Sequence, residues 1–251
     1  MATVVLVNST AIRAADRFTG RIPRSRRPIP SRAQENTMPT FQTPEPIAVA
    51  VEVLSGTVTV IASDRTDTVV AVRPADAAKK ADVRAAEETR VDFADGALTV
   101  TTPKDWRTYT PFGGNPSIEV TVEVPTGSAF RGTAGVGRIL GTGELGDCVL
   151  EVSAGDIVVE RPLGSVTAKT AQGNIRIGEA TRGVLRLETS VGDLEVGIRP
   201  GSAARLETTV ASGAVHNQLG PVDGAQDDEH TVRVYARSAL GNVVIQHASA
   251  A

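Results

Sequence analysis

The chain has 251 residues, 41% of them hydrophobic and only 3% aromatic, with a formal charge of −3. That length suffices for one large β domain or two small ones, and no apolar run approaches the roughly 18 residues a helix needs to span a bilayer. A single cysteine, Cys148, excludes an intramolecular disulfide.

Residues 1–37 stand apart. Seven arginines (Arg13, Arg17, Arg21, Arg24, Arg26, Arg27 and Arg32) face only Asp16 and Glu35, which leaves residues 38–251 at −8. The stretch Arg21–Arg32 is rich in Pro, Ser and Arg and cannot form a core. The apolar run of residues 1–37, Thr3–Val7, precedes the basic residues, the reverse of a secretory signal, so the expectation is a cytoplasmic chain. Either this is a basic arm suited to nucleic acid or an acidic membrane, or translation begins at Met38. The second is the expectation. In both cases residues 1–37 are read as a disordered extension outside the fold.

From Phe41 the pattern is that of strands. Ile47, Val49, Val51 and Val53 alternate with smaller or polar residues, and period two means one buried face. Gly56-Thr57-Val58-Thr59-Val60 follows, then a strand over Thr68–Arg73. Asp76–Glu88 reads as a short helix, with Ala77, Ala78, Ala81, Val83, Ala85 and Ala86 among charges. Arg90–Thr101 reads as a hairpin turning at Asp95-Gly96, and Ser117–Val124 as the next strand. Between these lies Pro103–Pro116, a Pro- and Gly-containing loop with Trp106, Arg107, Tyr109 and Phe112. Trp, Tyr and Arg anchor interfaces because each buries a large area and keeps a hydrogen-bond donor. The loop is therefore the candidate contact surface; the competing reading folds Trp106 and Phe112 inward as a lid.

The second half repeats. Gly137, Gly155, Gly173, Gly192, Gly213 and Gly241 each precede a small or polar residue and then an aliphatic one; the intervals are 18, 18, 19, 21 and 28 residues. Inward-facing positions fall seven, five and three residues before the glycine (Cys148, Leu150, Val152; Val166, Ala168, Thr170; Leu185, Leu187, Thr189; Val234, Ala236, Ser238). They resume two and four residues after it (Ile157, Val159; Ile175, Ile177; Leu194, Val196; Val243, Ile245). Two short strands around a glycine bend cannot bury their own face, whereas stacked copies can. The predicted fold is all-β: a single-stranded, β-helix-like solenoid with rungs of about 18–20 residues, preceded by an irregular β part with one short helix. Residues 38–130 would cap the regular repeats of 131–251, the two forming one domain. Glu151, Lys169, Glu188, Thr209 and Arg237 occupy one outward position, so rungs stacked in chain order alternate acid and base over the first three. Gly220–Glu229 is expected to loop outside the stack.

The run from Phe41 through Asp64-Arg65-Thr66-Asp67, Lys79-Lys80-Ala81-Asp82-Val83 and Trp106 to Gly114, with the recurring Ser/Thr-x-x-Gly-Asp/Asn-aliphatic motif, resembles a bacterial "putative adhesin" domain of unknown function. The likeness spans most of residues 38–251. It implies an all-β solenoid and supplies no catalytic or binding residues.

Chemical signatures are sparse. His216, His230 and His247 lack zinc spacing, and no Gly-x-Ser-x-Gly elbow occurs. Gly141–Gly146 matches Gly-x-Gly-x-x-Gly, but no helix follows to receive a pyrophosphate. Calcium-binding β-rolls need more glycines and carboxylates per turn than are present. A polysaccharide-active β-helix needs two carboxylates at fixed separation, and Tyr235 is the one aromatic after Gly132. The expectation is a non-enzymatic binding or scaffold protein without catalytic residues, metal or cofactor. Its partner would be a protein or cell-envelope component, with no nucleic acid expected on the folded part.

Overall fold

The computed structural model describes residues 38–103, 116–219 and 231–248. The basic extension 1–37, the Pro103–Pro116 loop beyond its two ends, and Gly220–Glu229 lie outside the described residues. Among the described residues the fold is all-β with one helix, and most strands run parallel in a single, nearly closed sheet.

The N-terminal elements are β1 (Thr40–Gln42), β2 (Ala48–Ser63), β3 (Asp67–Pro74), α1 (Lys80–Glu88), β4 (Arg90–Ala94), β5 (Ala97–Thr101) and β6 (Ile118–Pro125). The two predicted strands around Gly56 are one 16-residue strand, β2. The hairpin β4–β5 turns at Asp95 and Gly96, both with positive φ. Helix α1 starts later than expected because Asp76 first makes a turn, its Oδ1 accepting from the Ala78 N–H at 2.9 Å.

Eleven strands follow: β7 (Ala129–Leu145), β8 (Cys148–Ala154), β9 (Ile157–Pro162), β10 (Val166–Gln172), β11 (Ile175–Ala180), β12 (Gly183–Val191), β13 (Leu194–Ile198), β14 (Ala203–Ser212), β15 (Val215–Asn217), β16 (Thr231–Leu240) and β17 (Val243–His247). They form two parallel rows. One row runs β5, β2, β7, β8, β10, β12, β16, β14. The other runs β6, β2, β7, β9, β11, β13, β17, β15, because the long strands β2 and β7 pass through both. The residues expected to face inward do so: Ile157, Ile175, Leu194 and Val243 are fully buried, as are Cys148 and Leu150. Burial pushes the Cys148 thiol up to about 12, with Asp147 adding to the effect.

One expectation is corrected. The Gly213 and Gly241 segments do not stack in chain order: Leu185 pairs with Val234, and Val234 pairs in turn with Leu206. The segment nearest the C-terminus is thus inserted between its two predecessors, and β14–β15 end the rows among the described residues. Spatial order extends the charge alternation, since Glu151, Lys169, Glu188 and Arg237 become successive neighbours and Thr209 comes last. Burial explains the choice. Val234, Ala236, Val243 and Ile245 are apolar and fill an interior level. The matching positions of the Gly213 segment hold Leu206, Thr208, Val215 and Asn217, of which Val215 is 45% exposed.

Candidate functional site

The bend between the two rows is a column of glycines: Gly56, Gly137, Gly155, Gly173, Gly192, Gly241 and Gly213, all with φ between 138° and 147°. A Cβ on each of the six after Gly56 would fall on the carbonyl oxygen of the glycine before it in the column. Glycine is therefore required twice over, by dihedral angle and by close approach. Gly56 takes the same place in the column as the repeat glycines, next to Gly137.

Beside the column runs a ladder of side-chain amides and carboxylates. Asp156 Oδ1 accepts the Asn174 backbone N–H at 3.0 Å, Asn174 Oδ1 that of Asp193 at 2.9 Å, and Asp193 Oδ1 that of Asn242 at 2.6 Å. Asn242 Oδ1 accepts from the Ala214 N–H at 3.1 Å and closes the series. These polar residues bond the next segment rather than their own turn. Acid and amide alternate, so Asp156 and Asp193 sit two strands apart, about 10 Å at ordinary strand spacing. On the other side, Thr170, Thr189 and Ser238 are buried and donate to the carbonyls of Gly155, Gly173 and Gly192.

The outer face of β9, β11, β13 and β17 carries a groove of about 620 Å³. Gly178 and Gly197 lie in it; a Cβ on Gly197 would fall on the Gly178 carbonyl oxygen, so packing requires glycine there too. The walls carry Glu160, Arg161, Arg176, Glu179, Glu195 and Gln246. Glu195 accepts from Gln246 Nε2 at 2.9 Å and pairs with Arg176 at 3.6 Å; Glu179 pairs with Arg199 at 3.5 Å. Glu160 Oε2 accepts from the Gly143 N–H at 3.1 Å. The groove thus carries charges of both signs over a largely apolar floor, and its carboxylates are paired with protein donors. A second surface lies over β12, β16 and β14, where the Arg186 guanidinium sits 5.5 Å from the Tyr235 ring centroid, a cation–π distance.

Trp106, Arg107, Tyr109 and Phe112 lie outside the described residues, as does His230. His216 and His247 are exposed on β15 and β17. Among the described residues, no three His, Cys, Asp or Glu side chains come together as a metal site, and no helix is long and apolar enough to cross a membrane. The Gly141–Gly146 stretch covers the end of β7 and the residue after it, and β8 follows rather than a helix. Sequence reading missed the groove, although glycines five residues after Gly173 and Gly192 mark it. It also missed Asp82, a buried side chain on α1 that accepts from the backbone N–H groups of Asp76 and Ser117 at 3.2 and 3.0 Å.

No family model and no curated protein matches this chain. Solved structures do. One is a protein of Clostridium sporogenes described as a "putative cell adhesion protein", 11% identical over 84% of this chain and 98% of its own, with a TM-score of 0.48. A "putative adhesin" from Bacteroides fragilis is 11% identical over 83% and 95%, TM-score 0.30. A "putative lipid binding protein" from Parabacteroides distasonis is 10% identical over 85% and 94%, TM-score 0.32. The first two are described in terms of adhesion and the third in terms of lipid binding.

Proposed function

We propose that residues 38–251 form a β-solenoid that works as a non-enzymatic binding scaffold, of the adhesin type the sequence resembles. The proposal extends to its arrangement: residues 38–130 cap one end of the rungs, residues 1–37 take no part in the fold, and the protein acts in the cytoplasm or against the inner side of the envelope. The observation that supports it most is how the repeat spends its polar side chains. Asp156, Asn174, Asp193 and Asn242 give their Oδ1 atoms to neighbouring backbone amides, and Thr170, Thr189 and Ser238 donate to glycine carbonyls. Residue types that suggest calcium ligation or acid–base chemistry in the sequence are holding one segment to the next. What is left for a partner is surface, and the mixed-charge groove containing Gly178 and Gly197 is a concave part of it.

The test is cosedimentation of the purified chain with envelope fractions and with isolated polysaccharide, run beside an assay for newly released reducing ends. Binding without release, weakened by Arg176→Glu in the groove, is the expected result. Release of reducing ends would overturn the scaffold reading in favour of a polysaccharide-active enzyme. Unchanged binding by the Arg176→Glu variant would remove the groove from it.

A further inference from the structure

After Gly132 the chain has one aromatic residue, Tyr235, and it points outward, 40% exposed. Its strand, β16, is an interior one, paired with β12 on one side and β14 on the other. Register sets Arg186 of β12 and Glu207 of β14 opposite Tyr235, and Glu188 of β12 opposite Arg237. Lys169 of β10 stands opposite Glu188 on its other side. All six side chains are exposed on the outer face, and together they line an open depression of about 520 Å³.

The charges of this face are used unevenly. Lys169 Nζ lies 3.3 Å from the Glu188 carboxylate, and the Arg186 guanidinium lies over the Tyr235 ring. Among the described residues neither Arg186 nor Arg237 nor Glu207 forms an ion pair. Two guanidinium groups are therefore on offer to an anion, each able to hold a carboxylate through two parallel N–H donors. The acids set a condition on that anion. Glu188 and Glu207 repel a ligand charged at every unit, such as nucleic acid or an acidic peptide. A ligand that carries hydroxyl groups between its carboxylates can instead donate to them. A sugar ring bearing a carboxylate meets both demands, and its C–H face packs against an aromatic side chain such as Tyr235. One ring covers little of an open surface four strands wide, so a chain of such rings is the better match.

We propose that the outer face of β10, β12, β16 and β14 binds an acidic polysaccharide, with Arg186 and Arg237 holding its carboxylates and Tyr235 a sugar ring. The site rests on the reading of this protein as a binding scaffold and is separate from the groove over β9, β11, β13 and β17. The probe is polygalacturonate, titrated calorimetrically into the full chain at low salt. Dextran, poly-L-glutamate and duplex DNA serve as comparisons, and circular dichroism checks that each variant keeps its β structure. Polygalacturonate should bind, less tightly at high salt, and the three comparisons weakly or not at all. Tyr235→Ala, and separately the double variant Arg186→Gln with Arg237→Gln, should weaken binding roughly tenfold or more. Arg176→Glu in the groove should leave it unchanged. A parent that does not bind polygalacturonate, or variants of this face that bind it like the parent, would overturn the proposal. So would equal binding of dextran, which needs no cation, or of poly-L-glutamate or DNA, which would mark a site for an acidic peptide or a nucleic acid. Loss of binding in Arg176→Glu alone would give the polymer to the groove and overturn this site. The scaffold reading fails by a different sign, the release of reducing ends from the polymer.

Discussion

At one end of the parallel rows the chain turns back on itself. Strand β4 pairs antiparallel with β5, β3 with β6 and β1 with β3. Phe41 of β1 stacks on Phe93 of β4, ring centroids 4.9 Å apart, and so ties the two rows together. Arg65 bonds Asp67 at 2.9 Å and also Glu123, and its guanidinium holds the Asp67 carboxyl below the usual range. Underneath, Val70, Leu98 and Val100 are fully buried. At the other end, β14 and β15 are the last strands among the described residues. Leu206 and Val210 are half-buried, Val215 is 45% exposed, and His216 and Asn217 are exposed. The same ladder geometry therefore carries a dry core where antiparallel strands finish it and a wet one where nothing described does. Stacking alone buries only interior levels; a terminal level needs a covering of its own.

The largest effect expected from this contrast lies in the glycine column. Gly173→Ala places a Cβ on the Gly155 carbonyl oxygen at φ 145°, and neighbours on both sides prevent either strand from moving. We expect a loss of about 4 kcal/mol or more, in the range reserved for such backbone conflicts. Gly213→Ala meets the same obstacle at the Gly241 carbonyl, but β14 and β15 can lift away as a terminal level. Its expected cost is about 1–2 kcal/mol. Denaturant titration of both variants checks the ranking, and equal losses would mean that the two levels are equally confined.

Core truncation sharpens the comparison next. Leu98 is fully buried at the finished end, so Leu98→Ala should cost about 2–5 kcal/mol. Leu206→Ala removes the same atoms from a half-buried site and should cost about 1 kcal/mol or less, in proportion to the smaller area buried. If Leu206→Ala proves as costly as Leu98→Ala, the end at β14 is covered in solution. The finished end also depends on Asp82, whose carboxylate serves two backbone N–H groups. Asp82→Ala leaves both without that partner and should cost about 2–3 kcal/mol. Asp82→Asn keeps one acceptor oxygen and should recover part of the loss, as chemical denaturation of the two variants will show.

The glycine column was readable from spacing alone, because a requirement for φ > 0 and for close approach admits one residue type. The hairpin at Asp95-Gly96 and the inward ladders followed from equally local rules. The order of the last two segments did not. Which strand lies beside which is a non-local fact, and a chain may pass over a level and return. Its traces were nonetheless present: Thr208 and Asn217 stand where interior segments have apolar residues, and Glu188 finds a base at Arg237 but none at Thr209. Asp82 was unreadable for another reason. A lone acid on a short charged helix looks solvated until the backbone of Ser117, 35 residues away, is brought to it. The groove falls between these cases, since its glycines recur at a fixed offset while its walls depend on cross-strand register.

The smallest expected effect tests the inserted order by sign rather than size. In the structure Glu188 lies between Lys169 and Arg237, with Lys169 Nζ 3.3 Å from its carboxylate, while Thr209 borders Arg237. Arg237→Glu therefore sets two glutamates side by side and should destabilise by about 0.5 kcal/mol, as like charges across exposed strands do. Thr209→Glu adds an acid beside Arg237 and should be neutral or slightly stabilising. Stacking in chain order would reverse the second result, because position 209 would then face Glu188 directly. Salt separates charge from shape. At about 1 M ionic strength the screening length falls to roughly 3 Å, so a difference between the two variants that is electrostatic in origin should shrink towards zero, whereas one caused by strand packing should persist. Thermal unfolding of Arg237→Glu and Thr209→Glu at low and high salt reads all four values. A destabilising Thr209→Glu that salt relieves would place β14, not β16, against β12.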